Sequence, residues 1–165
     1  MENNSIVVEF IDSHNLNELY NCSNFIKSTT CKDYYTLLDI AEGRINDKFE
    51  WKKNISESLI KTLIKEENNI RVIKAFFSGI NEAIAIAIIK INKDEKYIEI
   101  SDIVTADKYR RKGIGNEMIK FIERFAKENN ISKIGLASSI NNTKAHQFFQ
   151  KYGYEKVAYE YMKRI

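Results

Sequence analysis

Residues 97–139 read YIEISDIVTADKYRRKGIGNEMIKFIERFAKENNISKIGLASS, and the pattern changes twice within them. Tyr97 to Thr105 has the composition of a strand. From Ile114 the apolar positions Ile114, Met118, Phe121, Ile122, Phe125 and Ala126 recur at the four-then-three spacing of one buried helix face, which Asn129-Asn130 ends. Lys133 to Ser138 returns to strand. Strand, helix and strand within so short a stretch form a crossover unit, which joins parallel strands in the right-handed sense.

The flanking sequence extends this unit into a mixed sheet. Ser5 to Ile11 alternates as a first strand, and the region to Glu67 reads as two or three amphipathic helices, least regular between Asp33 and Trp51. Ile70 to Phe77 and Glu82 to Ile91 are strands joined at Ser78-Gly79-Ile80-Asn81, where the glycine marks a hairpin turn. In the second strand Ala83, Ala85 and Ala87 are small and Ile84, Ile86 and Ile88 large, so a helix can approach one face closely. After the turn at Asn92-Lys93-Asp94-Glu95 comes the decisive stretch. Beyond it, Asn142 opens a helix whose Ala145, Phe148, Phe149 and Tyr152 share a face, stopped by Gly153. Glu155 to Lys163, with Val157, Tyr159 and Tyr161 on one side, is expected to close the chain as a strand. The order describes an α/β domain spanning residues 1–165.

Composition narrows the function. With 165 residues, 44% hydrophobic and 30% charged, the chain suits one folded domain, and the absence of proline removes Pro-rich linkers. The longest apolar run, Ala83 to Ile89, is far short of a membrane span, and the start carries no basic leader, so a soluble cytoplasmic protein without membrane partners is expected. Cys22 and Cys31 stand apart from histidines and are read as reduced thiols. His14 and His146 are too few for a His-based site, and no metal is expected. Residues 1–60 carry a net charge of −4 and residues 96–165 a net +6. The basic half lacks zinc-finger spacing and its aromatics follow helix-core spacing, so no nucleic-acid partner is expected, whereas a small polyanion fits.

Such an anion has an obvious seat. Arg110-Arg111-Lys112-Gly113-Ile114-Gly115 lies between the end of a strand and the start of a helix. A helix N-terminus presents unpaired N–H groups and a positive dipole end, and glycine lets the backbone close around a phosphate. The same pattern also suits a solvated basic loop with two turn glycines. Other phosphate motifs are missing: no Gly-Lys-Ser/Thr follows a Walker spacing, and Met118 occupies the third glycine position of a dinucleotide fingerprint.

Arg110-x-x-Gly113-x-Gly115 resembles the acetyl-CoA pyrophosphate loop of GNAT-type N-acetyltransferases. Asn142-x-x-Ala145-x-x-x-Phe149-x-Lys151-x-Gly153-Tyr154 is similar to the later motif of that family. The resemblance covers residues 70–165, the half expected to bind acetyl-CoA, and leaves residues 1–69 as the acceptor half. It implies a mostly antiparallel central sheet of about six or seven strands, with the crossover carrying the pyrophosphate loop. It further implies that the amides of Arg111, Lys112, Gly113, Ile114, Gly115 and Asn116, beside Arg110, hold the pyrophosphate. Ile103, Val104 and Thr105 would hold the pantetheine on a bulged strand that separates from its parallel neighbour. The Ile103 N–H would face the acetyl oxygen, Asn142 would bond the pantetheine or help shape its channel, and Ala145 and Phe149 would pack against the cofactor. The activity implied is acetyl transfer from acetyl-CoA to a primary amine in a ternary complex, in a monomer or homodimer. Protein lysine or N-terminal acetylation is the alternative, and a non-catalytic acetyl-CoA sensor is the alternative of another class.

An amine of pKa near 10 must lose a proton before it attacks. Glu99, at a position where relatives keep a glutamate base, is the expected catalytic base. Counting by twos along the strand puts it on the face of Ser101 and Ile103, with Asp102, the second candidate, on the opposite face. Phe149 stands where many relatives place an acidic tyrosine, and phenylalanine donates no proton. Water, Tyr34 or Tyr35 could replace it.

Overall fold

A computed structural model of the chain describes residues 5–33 and 35–163, which leaves Tyr34 outside the described residues. The elements are β1 (Ile6–Phe10), α1 (Leu16–Thr29), α2 (Leu37–Ala41), α3 (Ile55–Lys65), β2 (Ile70–Phe77), β3 (Ile80–Asn92), β4 (Tyr97–Thr105), α4 (Ile114–Glu128), β5 (Lys133–Leu136) and α5 (Thr143–Lys151). A 3-10 turn at Asp107–Tyr109 links β4 to α4. The strands form one sheet in the order β1-β2-β3-β4-β5, antiparallel throughout except for the β4–β5 pair, which the α4 crossover makes parallel.

The helices divide the core between the two faces of the sheet. On one face Ile114, Met118, Ile119, Ile122 and Ala126 of α4, with Phe149 of α5, pack on Ile73, Ala75, Ala85, Ala87, Ile89, Ile98 and Ile100. On the other, Leu19, Cys22 and Ile26 of α1 and Leu59, Ile60 and Leu63 of α3 cover Ile70, Val72, Ile86 and Ile88. The small side chains of Ala85 and Ala87 thus lie under α4, as the alternation in β3 implies. Ala83 departs from it, packing with the α1 side, because the β2–β3 register shifts between Ala75 and Phe77. Overfilling this contact measures how closely α4 approaches. Ala87→Leu is expected to lower the unfolding free energy by about 1–3 kcal/mol in a urea titration. An unchanged midpoint would mean that α4 leaves room there.

Local signals set the helix starts. The Asn15 side chain accepts from the Glu18 amide at 3.1 Å, Thr36 and Asp39 close a capping box on α2, and Asn142 accepts from the Ala145 amide at 3.3 Å. Two expectations are corrected. The described residues form five strands where six or seven were expected, and residues 155–163 form none of them; Val157 and Tyr161 are 91% and 90% exposed. Alternation marks a segment able to cover a face, but a strand exists only when it pairs. β5, shortened from the expected Ser138 to Leu136, offers only four residues before the chain turns toward α5.

Candidate active site

The centre of the site is an irregularity in β4. Ile88 pairs with Asp102 and Ile89 with Ile100, so Ser101 is an extra residue on β4, a β-bulge. On its other edge β4 pairs with β5 only from Tyr97–Lys133 to Ile100–Leu136. The parallel strands therefore part at the bulge. Ala106 donates to the Ile84 carbonyl at 3.0 Å, which fixes the alternation of the ladder. Counting back from it, the amide of Val104 turns toward β3, and those of Ile103 and Thr105 turn toward the gap that β5 leaves open. Ser101 Oγ and Ser138 Oγ, one on each side of this opening in sequence, are shielded from solvent without a hydrogen-bond partner among the described residues.

Beyond β4 the chain tightens toward α4. Arg110 donates through Nε to the Thr105 carbonyl at 3.2 Å and pairs with Asp107 at 2.7 Å. The ammonium groups of Lys108 and Lys112 lie 4.8 and 5.4 Å from the centre of the Tyr109 ring. Arg111 and Gly113 both take left-handed backbone, at φ 61° and 83°, and Gly113 is the N-cap of α4 with no side chain capping the first turn. A Cβ on Gly113 would meet nothing within 4 Å, so the backbone stands in open ground and its amides are reachable. Gly115 is glycine for a different reason, since a Cβ there would lie 3.1 Å from the Phe148 ring of α5. Arg110, Arg111, Lys112 and Gly113 are exposed, Ile114 is buried, and Gly115 and Asn116 are half-buried. Asn116 Oδ1 is buried without a partner among the described residues.

The acidic candidates lie on the α1–α3 side. The bulge corrects the face count: Glu99 pairs with Lys90 and Asp102 with Ile88, both opposite residues of that side, whereas Ile103 pairs with Ala87 on the α4 side. Glu99 and Asp102 therefore share a face, and Ile103 points the other way. Asp102, its side chain 7% exposed, receives both ends of the Arg44 guanidinium at 2.7 Å. Glu42 binds Arg44 at 2.6 Å and Lys90 at 2.6 Å, and Asp39 lies 3.4 Å from Arg44. Burial works against the charge of Arg44, but Asp102, Glu42 and Asp39 together hold its pKa above the usual value. Burial lifts Asp102 above the ordinary carboxylate range, the two guanidinium bonds oppose that, and Glu42 and Asp39 add to the rise. Glu99 is half-buried, and its pKa is raised by burial, with Glu42 and Glu66 adding to the rise and Lys90 opposing it.

The same face carries an open cleft of about 560 Å³ between α1 and the β2–β3 hairpin. Asn15, Asn17, Asn21, Asn81, Glu18 and Glu82 line it. Lys74, buried at its base, donates to Glu18 and, at 2.9 Å, to Asn81. On the α4 side, Ala145 packs on the core and Phe149, 7% exposed, meets Phe148 and Tyr154 edge to face. Burial, then Glu123, pushes the Tyr154 hydroxyl up to about 12. Tyr35 stacks on Phe49. Among the described residues no group of three or more His, Cys, Asp or Glu side chains could hold a metal, and no helix is long and apolar enough to cross a membrane.

Sequence reasoning missed Asp39, Glu42, Arg44, Lys90, Glu18 and Lys74. The signals available were charged residues at Lys74, Lys90 and Asp102 inside otherwise apolar strands, each of which needs a partner once buried.

The site is thus a parallel strand pair that parts at a bulge, beside a helix capped by a glycine. The family model described as Acetyltransferase (GNAT) family matches residues 30–154, and the chain belongs to this family. A Drosophila melanogaster protein, "Probable N-acetyltransferase san", is 37% identical over 76 residues; the match spans 44% of this chain and only 41% of that protein. The aminoglycoside N-acetyltransferase AAC(6')-Iy in complex with CoA has a similar fold, with TM-score 0.70 and 13% identity over 99% of this chain and 97% of that one. A "predicted acetyltransferase with acetyl-CoA from Clostridium acetobutylicum" gives TM-score 0.64 and 20% identity over 98% and 96% of the two chains.

Proposed function

We propose that this chain is an acetyl-CoA-dependent N-acetyltransferase acting on a primary amine of a small molecule, such as a polyamine, an amino sugar or an aminoglycoside. The observation that carries the reading is the coincidence of the Ser101 bulge with the end of β4–β5 pairing, one strand-end away from the open Gly113 turn. The amides from Arg111 to Asn116 offer donors for a pyrophosphate. Ile103 and Thr105 offer strand-like donors for the pantetheine in the gap, with Val104 between them. Asn142, Ala145 and Phe149 border the channel from α5, and the buried Phe149 serves it through packing.

Acetyl transfer forms a C–N bond and breaks the thioester C–S bond. The Ile103 N–H stabilises negative charge on the acetyl oxygen, which is worth roughly 3–4 kcal/mol in comparable sites. Glu99 takes the proton that the ammonium must lose, and its raised pKa brings it toward the working range of a base. Asp102, with both oxygens bound to Arg44, is the structural member of the pair of acids. The sulfur leaves as thiolate and takes its proton from water, a route open to a thiol of pKa about 8.5. Carboxylates around Glu99 and in the amide-lined cleft suit a cationic, hydroxyl-bearing acceptor. The free thiols Cys22 and Cys31 fit a reducing, cytoplasmic setting.

Thiol release from acetyl-CoA, measured against polyamines, amino sugars, aminoglycosides, amino acids and peptides with a no-amine control, tests the proposal. Release with one small-amine class is expected. Release with peptides alone would move the acceptor to proteins, and silence across the panel with acetyl-CoA still bound would replace catalysis by sensing.

A further inference from the structure

Asp102 is a carboxylate where the pattern of the sheet asks for an apolar residue. Its ladder partner is Ile88, and the next side chains on that face, Ile86 and Val104, belong to or pack on the α1–α3 core. Buried ion pairs contribute little net stability compared with an apolar pair of the same shape, and their best-attested service is to select one arrangement among several. β4 has two such arrangements.

With Ser101 as the extra residue, Asp102 lies opposite Ile88 and Ile103 opposite Ala87. Without a bulge, the ladder continuing from Ile89–Ile100 would set Asp102 opposite Ala87 and Ile103 opposite Ile86. A one-residue slip exchanges both the faces of the side chains and the direction of the amides. Asp102 would then enter the α4 core, and the Ile103 N–H would turn from the gap toward β3. The guanidinium fork of Arg44, on the α1–α3 side, closes on Asp102 only in the bulged register.

We propose that Arg44 is a positioning residue: by clamping Asp102 it locks β4 in the bulged register and so holds the Ile103 amide toward the gap. Glu42, 2.6 Å from Nη2, and Asp39, 3.4 Å from Nη1, brace the same two guanidinium nitrogens. The lock connects the irregular segment after α2 to the strand residue next to Ile103. That this amide serves catalysis rests on the acetyl-CoA reading; the register itself does not.

Amide hydrogen exchange by NMR on the ligand-free chain reads the register, and steady-state kinetics read its consequence. In the unmodified protein the Val104 amide is expected to exchange at least tenfold more slowly than those of Ile103 and Thr105. Arg44→Met should erase this alternation and lower kcat at least tenfold, while Arg44→Lys, which keeps the charge, should retain most of it. Should Arg44→Met fail to fold, Asp102→Asn removes the charge and one leg of the fork at nearly constant shape and is expected to act in the same direction. Cooperatively folding variants that keep the alternation would overturn the lock whatever their rate. Loss of alternation in a protein that never releases thiol would support the lock and overturn the acetyl-transfer reading instead.

Discussion

Gly113→Asp is expected to weaken acetyl-CoA binding at least 100-fold in calorimetry while leaving the protein folded. The substitution is informative because of where its side chain goes. A Cβ at this position meets nothing within 4 Å, so no packing is disturbed. The left-handed backbone, φ 83°, adds strain of about 1 kcal/mol for a residue other than glycine. The carboxylate, however, stands beside the uncapped amides of α4 and the exposed Arg111 and Lys112, where a pyrophosphate would need them. Gly113→Ala separates the two effects, since it carries the strain without the charge and should lower affinity only a few-fold. An aspartate variant within threefold of the unmodified affinity would remove the loop from the binding site.

Glu99→Gln is expected to lower kcat/KM by about 100-fold at pH 7 with acetyl-CoA affinity unchanged, the lower end of what a positioned base contributes. The sign of the accompanying pH and stability effects follows from the raised pKa. Glu99 acts when deprotonated, so the rate of the unmodified enzyme should rise with pH along an acid limb lying above the ordinary carboxylate value of 4.5, and glutamine should abolish that limb. Burial favours the neutral form in the fold, so Glu99 contributes stability below its unfolded pKa and loses it as pH rises through the folded value. At pH 7 the ionised side chain carries a cost that glutamine lacks, and the variant should melt no lower than the parent. A slow, fully stable variant points to catalysis; a variant of normal rate would pass the proton to water.

The parts of this architecture set by local periodicity were legible in the sequence. The crossover helix, the alanine face of β3 under α4, the caps at Asn142 and Gly153 and the turn at Gly113 follow from residues close together in the chain. The bulge was not legible as a register. A count by twos carries no sign that Ser101 is unpaired, so it placed Asp102 on the wrong face and grouped Ile103 with Glu99. Arg44 was hidden for a related reason: it lies in an irregular stretch 58 residues from the carboxylate it binds, beyond any local pattern. At the C-terminus the error ran in the opposite direction. Val157, Tyr159 and Tyr161 alternate as a strand would, yet each is largely exposed because pairing depends on an edge that β5 provides for only four residues.

The bond between Arg44 and Asp102 also bears on how such a protein can change. Its two ends belong to different halves of the chain, one to the segment proposed to face an acceptor and the other to the strand proposed to face the thioester. A chimera that imports a foreign residue 1–69 segment onto this scaffold imports or loses the guanidinium with it. On the proposed reading, acceptor preference is therefore not a freely exchangeable module: new loops must keep an arginine within reach of Asp102, or Asp102 must be exchanged in the same step.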